Sequence, residues 1–317
     1  MSTALKGSLA ALLFWATSAL ALPYSNLVVF GDSLADSGNN YLATGRAQTS
    51  VPLSGPTVPI YPYASGRYSN GPVWTEYFAN SLGLGLAPSL LGGNNYAFGG
   101  ARVAGASPVP TLQQQVGLYL SANTVSANAL YVIEGGGNDA RDVLDLVLSG
   151  QDPTQRIADY VLGMVDMIGT LAGLGANHFL VWNITDLGLV PAVTAQGPAA
   201  AQGASSVVAY MNFLLTQALA ALPGSITDDL ILFDAYAGLN DIVANPAAYG
   251  LADASTACAA DGACDASQAF FWDGIHPTTA GHQVMARLAV AAIPEPATGL
   301  LLGLAFLGLA ATRRRAA

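Results

Sequence analysis

Two segments far apart in the chain carry residue types that together perform acyl transfer. Near the start the sequence runs Val29-Phe30-Gly31-Asp32-Ser33-Leu34-Ala35-Asp36-Ser37-Gly38-Asn39, and near the end Asp273-Gly274-Ile275-His276-Pro277-Thr278. They supply a hydroxyl nucleophile, a base to take its proton and a carboxylate to orient the base. Ser33 is the candidate nucleophile because it directly follows an apolar run that reads as a strand, although Ser37 is also available. Among three histidines, His276 sits in a turn, where Pro277 holds its backbone away from helix. His178 opens an apolar strand and reads as structural, while His282 lies inside the final helix, where a surface or capping role is expected. Asp273 can fold back onto the imidazole nitrogen that faces away from the serine. Leu34 and Ala35 follow Ser33, so the second glycine of a Gly-x-Ser-x-Gly elbow is missing.

Four blocks then fall in one order: Gly31-Asp32-Ser33-Leu34, Asn95-Tyr96-Ala97-Phe98-Gly99-Gly100-Ala101, Gly136-Gly137-Asn138-Asp139 and Asp273-Gly274-Ile275-His276-Pro277. On these blocks the chain resembles the GDSL lipase/esterase family of the SGNH-hydrolase superfamily, over roughly residues 27–288. The stretch Gly66-Arg67-Tyr68-Ser69-Asn70-Gly71-Pro72-Val73-Trp74 resembles its secreted phospholipase/lecithinase branch. The resemblance implies a serine esterase acting through an acyl-enzyme on lipid or simple acyl esters. It also implies an oxyanion hole from the Ser33 N–H, a block-two glycine and the Asn138 amide. Gly99 is the glycine chosen, with Gly100 the alternative. Asp32 and Asp139 read as loop-fixing partners. A polysaccharide O-deacetylase with the same triad is a second reading, and a non-catalytic surface or matrix protein on the same fold a third.

The elements that must hold these residues alternate. Apolar runs at 27–30, 129–134, 179–183 and 230–234 read as strands, with 95–97 a short fifth candidate. Helices are expected over 73–82, 111–121, 140–148, 153–174, 204–222 and 279–292. Alternation of this kind predicts an α/β fold, a three-layer α/β/α sandwich around a mostly parallel sheet of about five strands. The resemblance specifies it as SGNH-hydrolase/flavodoxin-like. Ligands of such sheets bind beyond the strand C-termini, where Ser33 and Asn138 fall. The segments 43–65 and 190–203 read as surface loops. Phe270, Phe271, Trp272, Tyr68 and Trp74 flank the motifs and read either as core or as lining of an apolar pocket.

Residues 1–21 have the form of a signal peptide: Lys6, an apolar stretch, then Ala19-Leu20-Ala21. This leaves a hydrolase domain over 22–293. Residues 294–317 join Pro294-Glu295-Pro296 to an uncharged apolar run and Arg313-Arg314-Arg315, and resemble a PEP-CTERM sorting signal. That resemblance implies an exosortase-type processing enzyme in a Gram-negative host and transient membrane insertion of the tail. It further implies a final location in the periplasm, at the cell surface or outside the cell. The run is short for a hydrocarbon core about 30 Å thick. Net charge is −10, and four of the ten basic residues are Lys6 and the terminal arginines. An acidic surface of this kind disfavours nucleic acid as a partner. Cys258 and Cys264, in an exported protein, read as a disulfide stapling the loop that precedes Asp273. No cofactor motif or metal-ligand spacing is present.

Overall fold

The computed structural model describes residues 24–45, 63–64, 66–260 and 263–294, and residues 24–294 form one compact unit. The expected signal peptide, sorting tail and apolar span lie outside the described residues, as does most of the 43–65 loop.

Four short strands build the central sheet: β1 (Asn26–Phe30), β2 (Ala129–Ile133), β3 (His178–Trp182) and β4 (Leu230–Phe233). They pair in the order β1-β2-β3-β4, all parallel. A parallel sheet is covered on both faces, so its strands are continuous apolar runs, and every residue of β2 is buried. The helices, in chain order, are α1 (Asn39–Ala43), α2 (Trp74–Ser81), α3 (Leu112–Ala122), α4 (Gly137–Leu148) and α5 (Thr154–Gly173). They continue as α6 (Pro191–Thr194), α7 (Pro198–Ala220), α8 (Gly224–Thr227), α9 (Ala235–Ala244) and α10 (Thr279–Ala291). One sheet face meets α3 through Phe30, Tyr131 and Tyr119. The other packs Trp182 between Phe233 and Trp74 of α2, against which α10 lies. This is the expected three-layer α/β architecture.

The fifth strand is reduced to bridges. Asn95 bridges to Val29 and Pro88, and the ladder goes no further because the Gly31 N–H that would reach Tyr96 O is given to Gln115 Oε1 at 2.9 Å. The segment nevertheless stays in register beside β1: Tyr96 N–H donates to Val29 O at 2.7 Å and Phe98 N–H to Gly31 O at 3.1 Å.

The segment 190–203 is largely helical rather than a loop. Pro191 and Pro198 occupy the first helical positions of α6 and α7, where a missing N–H costs nothing, and alanines 199–201 extend α7 toward its N-terminus. A two-stranded parallel pair, β5 (Asp253–Ala257) and β6 (Ala269–Phe271), stands apart from the main sheet and delivers the loop carrying Asp273 and His276. The disulfide Cys258–Cys264 closes the excursion between these strands.

Candidate active site

Ser33 lies three residues beyond the end of β1, in a turn closed by Asp32. Leu34 N–H donates to Asp32 Oδ1 at 3.0 Å, and Asp36 N–H to Asp32 O at 3.0 Å. The turn leaves Ser33 half-buried and its N–H without an acceptor among the described residues. Its hydroxyl meets His276 Nε2 at 2.8 Å.

His276 reaches that position on a tight return after β6. Trp272 N–H donates to His276 O at 2.7 Å, and Thr278, capping α10, ties the far side to Ala269 O and Phe270 O. Asp273 organises the turn from within. Its Oδ1 accepts the N–H groups of Ile275 and His276 at 2.8 and 2.7 Å, and its Oδ2 meets His276 Nδ1 at 2.7 Å. The spacing of three works because the backbone turns round the carboxylate. Burial pushes the Asp273 carboxyl up, but the His276 charge and hydrogen bond, with Tyr63 and the two amides, outweigh it. The net places it well below the usual carboxylate range.

Two tyrosines enclose the imidazole. Tyr63 donates its hydroxyl to Asp273 Oδ2 and stands edge-on to His276, with ring centres 6.3 Å apart. The Tyr68 ring lies 5.3 Å from His276, tilted by 34°. Tyr68 is buried, as are Phe270, Phe271 and Trp74, so the last three belong to the core. Trp272 is half-buried.

The second wall carries the block-two glycines and Asn138. The last bond of the register beside β1, Phe98 N–H to Gly31 O, brings the block-two glycines to the end of that strand, and Asn138 bridges Ala101 O to Asp32 Oδ2, the neighbours of Gly100 and Ser33. Gly99, the glycine expected to donate, does not offer a free N–H: it is committed to Asp36 Oδ2 at 2.9 Å. A Cβ at Gly99 would also fall 2.0 Å from the Tyr68 ring, so no larger residue fits. The N–H without an acceptor among the described residues is that of Gly100, whose φ of 85° lies in the region glycine favours. Asn138 opens α4. Its amide donates to Ala101 O at 3.0 Å and faces Asp32 Oδ2 at 3.4 Å.

Charged groups brace this wall from behind. Arg102 holds Asp142 in a two-pronged pair and donates to Gly100 O at 3.0 Å, while Asp139 accepts from Val103 N–H and Arg156. Burial raises Asp139 to about 6 against these partners. Asp32 is likewise raised to about 6 by burial, opposed by the Leu34 amide and His276. Beneath it the buried Glu134 carboxyl is pushed well up by burial and by the Asp32 charge. Asp32 and Asp139 therefore hold loops, as expected.

Sequence reasoning missed Tyr63, Glu134 and the brace of Arg102 and Asp142. Tyr63 stands in a stretch whose composition signals only loop, and Glu134 at the end of a strand signals nothing. His282 departs from expectation: it is fully buried, and both ring nitrogens lack hydrogen-bond partners among the described residues. Its place in α10 turns it into the packed interface rather than to the surface. Burial lowers it to about 3. Among the described residues no group of side chains is arranged to hold a metal ion.

Comparison with known proteins follows the same residues. A model of the family described as GDSL-like Lipase/Acylhydrolase matches residues 27–289, and the PEP-CTERM protein-sorting motif matches residues 292–315. Lipase 1 of Photorhabdus luminescens is 32% identical over 197 residues, covering 60% of this chain and 27% of that protein. Phosphatidylcholine-sterol acyltransferase of Aeromonas hydrophila is 29% identical over 202 residues, covering 61% and 53%. An inactive GDSL esterase/lipase-like protein of Arabidopsis thaliana is 33% identical over 186 residues, covering 53% and 43%. The chain thus spans about a quarter to a half of the length of these relatives. The solved structure of an acetylxylan esterase from Geobacillus stearothermophilus superposes with a TM-score of 0.46 at 16% identity, covering 86% of this chain and 94% of that one. The family match runs from β1 to α10 and takes in Ser33, Gly100, Asn138, Asp273 and His276: the chain belongs to the GDSL-like lipase/acylhydrolase family, and carries a PEP-CTERM sorting motif behind it.

Proposed function

We propose that this chain is an exported serine hydrolase of carboxylic esters, acting on lipid or simple acyl esters. The observation that carries the reading is the continuous relay from Asp273 Oδ2 through His276 to Ser33 Oγ, with contacts of 2.7 and 2.8 Å. His276 Nε2 takes the Ser33 proton as Oγ bonds to the ester carbonyl carbon. The imidazolium so formed is stabilised by the Asp273 carboxylate, which need not accept a proton. Negative charge gathers on the carbonyl oxygen, and the Ser33 N–H and the Gly100 N–H receive it, joined by the Asn138 amide as it gives up its 3.4 Å contact with Asp32 Oδ2. Collapse expels the alcohol, protonated by His276, and leaves the acyl group on Ser33. Water then attacks with His276 again as base, releasing the acid and regenerating Ser33. Gly100 replaces Gly99 in this account because Asp36 has already claimed the Gly99 N–H. The PEP-CTERM motif supports export, exosortase processing and a surface-associated site of action in a Gram-negative bacterium.

The test is hydrolysis of p-nitrophenyl esters from acetyl to palmitoyl, by wild type and Ser33→Ala. The expected outcome is turnover by wild type and loss of at least about 10³-fold in the variant. A preference for long chains supports a lipid substrate. Activity confined to acetyl esters favours the polysaccharide O-deacetylase. Absence of turnover on every ester, from folded protein, overturns the esterase reading in favour of a non-catalytic scaffold.

A further inference from the structure

We infer that Asn40 is the positioning residue of the oxyanion hole, and that Asp36 and Asn40 together lock the Gly99–Gly100 peptide in its donating orientation. The inference rests on the esterase reading above and adds a pair of residues to which that reading gave no role.

The argument begins with the peptide bond itself. A trans peptide is planar, and its C=O and N–H point in opposite directions. The unit joining Gly99 to Gly100 carries the Gly99 carbonyl on one side and the Gly100 N–H on the other. Asn40 Nδ2 donates to that carbonyl at 2.7 Å. Holding the oxygen toward Asn40 forces the Gly100 N–H out the opposite side, where no described residue accepts it. The preceding unit is held too, because the Gly99 N–H donates to Asp36 Oδ2 at 2.9 Å. Both polar groups of Gly99 are therefore anchored, and among the described residues the Gly100 N–H is the group of this pair of peptides left unspent.

Such a lock is needed here because two adjacent glycines have no Cβ to restrict rotation. A peptide flip between them is sterically cheap and would turn the Gly100 N–H away and present a carbonyl to the developing oxyanion. The lock is itself rigid. Asn40 is 2% exposed and Asp36 fully buried. Asp36 also accepts the N–H groups of Gly38, Asn39 and Asn40 at 2.8, 2.6 and 3.3 Å, fixing the start of α1 and hence the place of Asn40. The second N–H of the Asn40 amide donates to Tyr68 Oη at 2.8 Å, and the Gly99 carbonyl, which can only accept, settles which end of the amide is nitrogen. The Tyr68 ring in turn presses on Gly99 and on His276. One buried side chain thus joins the wall that presents the oxyanion donors to the wall that presents the base.

The experiment compares wild type with Asn40→Asp and Asn40→Ala. The first keeps shape but sets an acceptor against the Gly99 carbonyl, and the second removes the anchor. Folding is checked by thermal unfolding. We expect kcat to fall about 10- to 100-fold with KM within about twofold, less than the 10²–10³ of deleting a donor outright. Affinity for a trifluoromethyl ketone, which adds to Ser33 as an oxyanion, should fall by the same factor, and affinity for the product carboxylic acid should not. A merely structural role would instead raise KM or lower the melting temperature with kcat intact, and that result overturns the inference. So does kcat within twofold of wild type. A wild-type measurement needs no variant: in the NMR spectrum of the ketone adduct the Gly100 amide proton should move downfield and the Gly99 amide should not, and the reverse overturns the inference. Wild type that neither turns over esters nor binds the ketone overturns the esterase reading and this inference with it. Active wild type with an indifferent Asn40 overturns this inference alone.

Discussion

At the scale of single residues, the site is a set of groups whose burial is largely offset by specific partners, and the His282 imidazole has none among the described residues. Its two ring nitrogens are buried and without partners among the described residues, close to His276 and Asp273. Burial, and then the His276 charge, lower it to about 3 against an ordinary 6.5, while Asp273 opposes the shift. The folded state therefore refuses a proton that the unfolded chain accepts. Stability tied to this group is fully present above pH 6.5 and is lost as pH falls toward 3, by about 1.4 kcal/mol per pH unit. His282→Leu should remove that slope. Between pH 6.5 and 5, urea unfolding should show wild type losing about 2 kcal/mol more than the variant. Equal losses would mean that the imidazole has a partner after all. Asp273 acts in the same sense lower on the pH scale. Its carboxyl is held down, so its contribution is present above the ordinary carboxylate range and is lost as pH falls below that range.

At the scale of elements, the geometry of the base depends on a small annex rather than on the main sheet. The loop of Asp273 hangs from β6, which pairs with β5 outside the main sheet, and the disulfide closes the chain between them. Ala259, next to Cys258, donates its N–H to Trp272 O at 2.7 Å, one residue before Asp273. Opening the Cys258–Cys264 ring frees a short loop, worth about 2 kcal/mol in the chain-entropy account. The double variant Cys258→Ser/Cys264→Ser should lose about that much in urea unfolding, and lose esterase activity at a lower temperature than wild type. An unchanged unfolding midpoint with unchanged thermal inactivation would show that β5 and β6 hold the loop unaided. The nucleophile, by contrast, is anchored to β1, the strand that is buried along four of its five residues.

At the scale of the whole molecule, residues 24–294 form one compact unit, and the PEP-CTERM motif matches residues 292–315 at its C-terminal end. A fragment of residues 24–294 should fold alone, with the melting temperature and kcat of a longer chain that retains 295–317. A fragment that aggregates or melts markedly lower would place the tail in the folded domain. Within an exosortase-bearing host, mass spectrometry of the mature protein should find a C-terminus near Pro294-Glu295-Pro296.

Much of this was legible in the residues. The strand positions and the alternation with helices follow from apolar runs and turn residues, because local pattern dictates local structure, while the grouping of Ser33, Asp273 and His276 was expected from their residue types and the resemblance of the motif blocks. The Asp273-to-His276 contact is three residues long and is resolved by one turn. What the sequence alone could not decide is which of two adjacent glycines keeps a free N–H, since that depends on Asp36 arriving from 63 residues away. Nor could composition reveal Tyr63 on Asp273, 210 residues distant, or the burial of His282. The sheet's fifth member also fails for a long-range reason, the claim of Gln115, 84 residues away, on the Gly31 N–H. The sequence by itself determined which residues could react and which strands present them. Only the tertiary structure decided which hydrogen-bonding groups are left unspent at the site, because every buried donor and acceptor must first find its partner elsewhere in the chain.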